Sequence, residues 1–384
     1  MIHRAALLRF SLALLAAFIL AAPARAQMSF EAAALSLADA QRAALSRNPD
    51  LRIALSALES ARAAIQSADT APNPVLTLQA MGISPSQGIG PGGLRSKAVD
   101  SAIRIDQQIE RGGKRELRLH NAQWLEQAAR ADLSEVRRQL RLAVALAYYD
   151  LLAAQEKRAI LRDSLQLFRQ TMDAAQRRRQ AGDLAGADVA RIEVDALRAA
   201  NDAEAADAEL LRAQETLALA LDAAPQARRL KAVDPWPDAA DIDDGAALDA
   251  IEARADVRAA QARVRAAQEG LRLALSLRTR DITIGVQAEH YPQNGANAYG
   301  SGNSVGIAVQ FPLLLRNQYQ GEIGNAEAAL ESARATLDKI RNAAQSELAR
   351  SRDEARIAAA RLRRYDAELL PAAERSAAAA EYAF

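Results

Sequence analysis

At 384 residues the chain is long enough for two or three ordinary domains, yet only 4% of it is aromatic and alanine fills tracts such as Ala377–Ala380, which suits extended helix packing better than a thick core. Its 49 basic and 48 acidic residues leave a net charge of +1, with both signs interspersed, so no nucleic-acid footprint emerges. There is no cysteine, which excludes disulfides, thiolate metal sites, catalytic thiols and a cysteine-linked N-terminal lipid.

Residues 1–26 read as a secretory signal peptide: His3 and Arg4, an apolar run from Phe10 to Ala22, then the small-x-small site Ala24-Arg25-Ala26. The uncharged stretch is shorter than the roughly 20 residues that span a bilayer. No later segment is long and apolar enough for a membrane helix either, so any crossing must be made by strands closed into a barrel. Ser36 can cap a first helix that stops at Arg47-Asn48-Pro49-Asp50, and a second helix is expected from about Leu51 to Thr70, ended by Pro72 and Pro74.

Strict alternation then predicts strands at about 75–81 and 101–109, flanking a Gly/Ser/Pro-rich loop at 82–97. From Lys114 to about Ala181 there is neither proline nor glycine, and a helix of that span would be about 100 Å long at 1.5 Å per residue. Its apolar positions, Leu140, Leu142, Val144, Leu146, Leu151 and Leu152 among them, predict lateral packing against other helices. A turn is expected at 181–188, with Gly182 and Gly186 permitting it and Asp188 capping a helix that returns towards Leu221. Residues 222–249, with Pro225, Pro235, Pro237 and the acidic run Asp241 to Asp244, form a connector.

The pattern then recurs. Ile103-Arg-Ile-Asp-Gln-Gln-Ile corresponds to Ile307-Ala-Val-Gln-Phe-Pro-Leu, and Asn121-Ala122 to Asn325-Ala326, an offset of about 204 residues. The first repeat with its connector covers 27–249 and the second 250–384, with strands at about 281–290 and 304–311 around a polar loop and a descending helix from about Gly321 to Phe384. The fold class is therefore mainly α with a small β part, built from duplicated long-helix and β-hairpin units. In a soluble sandwich the same alternation would turn the apolar face inward. Two hairpins beside several hundred helical residues are too few to close a sandwich or barrel, so the strands must find partners, most simply in other copies.

No nucleophile motif, phosphate loop or metal-ligand spacing is present, and no cofactor or metal site is expected. Of the three histidines, His3 lies in the signal peptide, His120 on a helix, and His290 beside Glu289 at a strand end, where neighbours point to opposite faces and no further ligand supports them. No enzyme is read.

The ordered set NPDL at 48–51, APNP at 71–74, IERGGKR at 109–115, AGDLAGAD at 181–188 and PLLLRNQYQGEI at 312–323 resembles the TolC family of outer-membrane efflux ducts, over the whole chain from about Leu35. GGKR after the second strand and RNQ-x-x-GEI after the fourth resemble the heavy-metal branch, which serves cation exporters of the resistance-nodulation-division type. The resemblance implies a homotrimer in outer-membrane lipid, each protomer giving four strands to a twelve-stranded barrel that continues into a periplasmic helical tunnel. It also implies passive conduction, with energy from an inner-membrane resistance-nodulation-division pump and a periplasmic adaptor docked on the helical tip.

By the family's tip motif, Gly182, Leu184 and Asp188 are candidates for adaptor contact or aperture control; an ordinary glycine turn with an aspartate cap would account for the same residues. The alternation assigns Leu76, Leu78, Ile103, Ile105, Ile282, Ile284, Val286, Val305, Ile307 and Val309 to lipid, and Thr77, Gln79, Arg104, Asp106, Thr283, Gln287, Glu289 and Gln310 to the lumen. Set against the family pattern, the second tip and its returning helix are missing, so the descending helix is expected to expose Leu330, Leu337, Leu348 and Leu362. The competing reading is a soluble periplasmic coiled-coil adaptor or chaperone, for which an apolar outer band would have no use.

Overall fold

The structure is a computed structural model, and it describes residues 34–81, 83, 99–237, 247–291 and 302–382. The signal peptide, the two hairpin loops and the acidic run lie outside the described residues. In chain order the elements are β1 (Ala34–Leu35), α1 (Leu37–Arg47), α2 (Pro49–Ala68), β2 (Val75–Met81), β3 (Asp100–Ile109), α3 (Lys114–Gln180), α4 (Gly186–Ala220), a 3-10 turn (Ala224–Arg229) and β4 (Lys231–Ala232). They continue with α5 (Ala247–Glu252), α6 (Ala255–Ser276), β5 (Ile282–His290), β6 (Asn303–Gln310), α7 (Gln320–Arg364), a π-helical turn (Tyr365–Leu369) and α8 (Leu370–Tyr382). Pro371 supplies a cause for the π turn: it offers no N–H to the ladder, and its ring crowds the carbonyl one turn before it.

Two compact units are formed, Met1–Asn48 with Leu140–Pro235, and Pro49–Gln139 with Trp236–Phe384. This division does not follow the sequence repeat, because α3 contributes its first part to one unit and the rest to the other.

The first unit is built around Tyr148. Its ring is fully buried with Val144, Leu151, Leu217, Leu221 and Leu230, and its hydroxyl donates to the Leu35 carbonyl (2.9 Å) while accepting from the main-chain N–H groups of Val233 (3.1 Å) and Asp234 (3.0 Å). Those contacts hold β1 and β4 as a short parallel pair, Ala34 opposite Lys231 and Leu35 opposite Ala232. Gln155 completes the pair by exchanging two 2.9 Å hydrogen bonds with the main chain of Ala232. Ser36 caps α1 by accepting from the Asp39 N–H (3.1 Å). Of the apolar positions along α3, Leu140, Val144, Leu151 and Leu152 are buried whereas Leu142 and Leu146 are exposed. Between α3 and α4, Arg158 and Arg162 both bond Asp207, and those bonds hold its carboxyl below the usual carboxylate range.

The second unit holds a four-stranded antiparallel sheet and the helices that flank it in sequence. Asn121 on α3 donates to the Ala266 carbonyl on α6 (2.6 Å), Asp132 pairs with Arg263, and the Arg265 guanidinium lies 4.8 Å over the Trp124 ring. Arg254 bonds both Asp256 and Glu347. Burial pushes the Asp256 carboxyl up, but the bond and charge of Arg254 outweigh it and leave the group below the ordinary range.

The expectation of a bare descending helix is overturned for most of its stripe. Leu330 is buried, and Leu337 and Leu348 pack with Ile340 against the buried Ile251, Val257 and Ala344; Leu362 alone of the four is exposed. For Leu337 and Leu348 the short helix α5 and the start of α6 supply this cover, and nothing in the local pattern of α7 could announce it.

Candidate functional site

The strands lie in the order β2-β3-β5-β6. Directly opposed residues in an antiparallel ladder point to the same side, so the register decides which residues share a face. One face carries the rows Leu76–Ile105–Val286–Ile307 and Leu78–Ile103–Ala288–Val305, with Ile284–Val309 and Ile109–Ile282 beneath them. This apolar face is open to solvent in the single chain: Ile307 is 78% and Val305 79% exposed. A nine-residue strand is about 30 Å long, enough to cross an apolar band about 25 Å tall. Gln107 interrupts the face, and its amide is turned back to donate to the carbonyls of Pro72 (3.0 Å) and Gln108 (2.8 Å).

The opposite face gathers all eight residues assigned to a lumen. Its rows are Thr77–Arg104–Gln287–Gly306, Val75–Asp106–Gly285–Ala308, Gln79–Ala102–Glu289–Ser304 and Gln108–Thr283–Gln310. Arg104 forks onto Asp106 (Nε to Oδ2 2.8 Å, Nη2 to Oδ1 2.8 Å) and reaches Gln287 (3.4 Å). Gln287 in turn donates to Glu289 (3.0 Å), which also accepts from Tyr291 and Ser304.

Alternation predicted the face but missed the residue that lets this ladder lie flat. A Cβ at Gly285 would come within 2.3 Å of Asp106 Oδ1 and 2.9 Å of Arg104 Nη2, so only glycine leaves room for the fork. A lone glycine inside an otherwise regular strand was the available signal. Among the described residues β2 and β6 each pair on one side only, which leaves both lateral edges of the sheet open.

The turn in the first unit places its candidates differently. Gly182 is left-handed (φ +86°) and ends α3: the Asp183 N–H reaches the Arg178 carbonyl (2.9 Å) and the Gly182 N–H that of Arg179 (3.0 Å), the paired bonds of a Schellman ending. Leu184 is half-buried, and Val189, which sequence reasoning passed over, is buried.

Asp188 does not cap the returning helix. The N-cap is Ala185, which makes no side-chain hydrogen bond, and Asp188 lies inside the first turn with its own N–H bonded to the Ala185 carbonyl (3.1 Å). Its carboxylate is exposed, where it complements the positive end of the helix dipole without closing a cap. The helix begins at Gly186, three residues earlier than an aspartate cap at this position requires.

Among the described residues no group of histidine and acidic side chains could hold a metal, and no helix is long and apolar enough to cross a membrane. The sequence profile of the family described as "Outer membrane efflux protein" matches residues 40–223. Over that span, which lies within the first of the two repeats, the chain is similar to the outer membrane efflux protein family. The matched family is one of outer-membrane efflux proteins, which carry out transport and not catalysis.

The chain is 25% identical over 315 residues to the cobalt-zinc-cadmium resistance protein CzcC of Cupriavidus metallidurans, covering 79% of this chain and 68% of the relative. Its fold matches the outer membrane protein VceC of Vibrio cholerae (TM-score 0.69, 18% identity, 88% of this chain and 83% of that one). It also matches CusC (0.68, 17%, 90% and 82%) and a membrane protein from Pseudomonas aeruginosa (0.71, 21%, 90% and 81%). At these identities the structures speak for the fold alone.

Proposed function

We propose that three copies of this chain close a twelve-stranded barrel, and that the assembly passively conducts substrate delivered by a periplasmic adaptor and an inner-membrane resistance-nodulation-division pump. The observation that carries the reading is the sheet: one face apolar and uncovered, the other polar and hydrogen-bonded, and both edges unpaired among the described residues. A four-stranded sheet with these properties is stable only when its edges are paired and its apolar face is out of water. Thr77, Gln79, Arg104, Asp106, Thr283, Gln287, Glu289 and Gln310 would then line the lumen, and Gly182, Leu184 and Asp188 the adaptor-facing tip. The likeness to CzcC supports divalent transition-metal cations as the cargo. A soluble adaptor is not favoured, because it would leave the Ile307 row in water. Deleting the gene is expected to raise cellular zinc, cobalt or cadmium and lower tolerance to them, with restoration by the intact chain; unchanged accumulation of all three would sink the metal reading.

The internal repeat makes the trimer testable. Asp256-Val257-Arg258 corresponds to Asp50-Leu51-Arg52, which matches Ala266 with Ser60, while Asn121 matches Asn325. Inside one chain Asn121 on α3 bonds Ala266 on α6. By the same geometry Asn325 on α7 of one copy should meet Ser60 on α2 of the next. The chain has no cysteine, so the double variant Ser60→Cys/Asn325→Cys is expected to yield an oxidant-dependent, SDS-resistant trimer, and either single variant none. Cross-linking within a single chain instead would refute this arrangement.

A further inference from the structure

The end of the sheet where the helices attach is rich in arginine. At the end where the helices attach, Lys114 pairs with Asp281, Arg115 with Asp69 and Arg118 with Glu110. Four more arginines remain there without a carboxylate on their guanidinium groups among the described residues. Arg278 donates only to the Gln318 carbonyl (3.4 Å), Arg111 bonds Asp281 through its main chain alone, and Arg280 and Arg316 form no ion pair among the described residues.

The apolar surface also runs on past the sheet at its basic end. Phe311, Leu313 and Leu315 follow the last residue of β6, and Leu315 is 81% exposed, immediately before Arg316. Arg280 falls two residues before Ile282, on the alternation of the outward face.

We infer that this end of the sheet is a collar for the phosphate of anionic glycerophospholipids in the membrane leaflet on the helix side. The inference rests on the sheet being a membrane wall. Arginine suits the position because its planar fork matches a phosphate bidentately, and because its aliphatic stem can lie along apolar surface while the head reaches the interface. Phe311, Leu313 and Leu315 would enter the acyl region beneath those headgroups. A cysteine-linked lipid, another means of holding a protein to this leaflet, is chemically impossible in a chain without cysteine. The collar would fix the depth of the barrel in the membrane.

The test uses the full chain reconstituted in phosphatidylcholine bilayers, with spin-labelled phosphatidylglycerol and spin-labelled phosphatidylcholine as probes of the lipid shell. Phosphatidylglycerol is expected to be the preferred neighbour, and Arg280→Gln/Arg316→Gln to cut its relative association constant by roughly fivefold per arginine, with insertion into phosphatidylcholine unchanged. Arg280→Lys/Arg316→Lys should keep most of the preference. An absent preference, or one untouched by the glutamine pair, would overturn the collar, and so would displacement of the labelled lipid by millimolar inorganic phosphate, which would mean a free-anion site. Dissociation of the trimer in the glutamine pair would mean that a second copy covers this surface instead. Failure of the unaltered chain to enter any bilayer would defeat the membrane-wall reading itself, a result distinct from insertion without lipid preference.

Discussion

Arginine in place of Ile284 or Ile307 is expected to keep the protein out of the outer membrane. Both residues lie on the uncovered apolar face, Ile307 in a row with Val286, Ile105 and Leu76, and Ile284 directly opposite Val309. A lipid-facing arginine near mid-bilayer costs about 2–4 kcal/mol, and a trimer carries the change in every copy. Arginine at Thr283 or Ala308, one step along the same strands but on the opposite face, should assemble and change conductance instead. Quantifying trimer in the outer-membrane fraction, then single-channel conductance, separates the two classes. Equal loss at all four positions would mean that the faces are wrongly assigned.

Tyr148→Phe is expected to destabilise the first unit by about 3 kcal/mol, although it removes a single oxygen. The hydroxyl serves three main-chain groups, the Leu35 carbonyl and the N–H groups of Val233 and Asp234. Each polar group left buried without a partner costs about 1–3 kcal/mol. The ring itself stays, so no cavity forms. Hydrogen exchange at the Val233 and Asp234 amides should accelerate together with a fall in the unfolding midpoint. A variant with unchanged protection at both amides would show that β1 and β4 are held by the surrounding apolar core alone.

The sequence by itself determined those features whose cause is local. Period-two alternation marks β2 and β5 because successive side chains on a strand point to opposite faces, and it divides Ile284 from Thr283 without any knowledge of the neighbours. The absence of proline and glycine between Lys114 and Gln180 permits one unbroken helix, and Gly182 ends it because only glycine takes a left-handed backbone without strain. The repeat itself, with Asn121 recurring as Asn325, is also legible from the residues alone.

Tertiary structure decided whatever depends on residues far apart in the chain. The pairing of β3 with β5 joins residues such as Arg104 and Gln287, and the resulting ladder explains why Gly285 is a glycine. The same holds for β1 and β4, two residues each: strands so short carry no periodic signal, and they exist because Tyr148 and Gln155 satisfy their main chain. Asp188 looked like a cap by residue type, but a cap needs a non-helical backbone at its own position, and the packing of the turn put Ala185 there. Leu337 and Leu348 looked exposed because the elements that cover them begin some eighty to ninety residues earlier, at Ile251 and Val257. Local chemistry sets which conformations a segment can adopt, whereas burial is a property of what lies opposite, and no window of sequence contains its own neighbours.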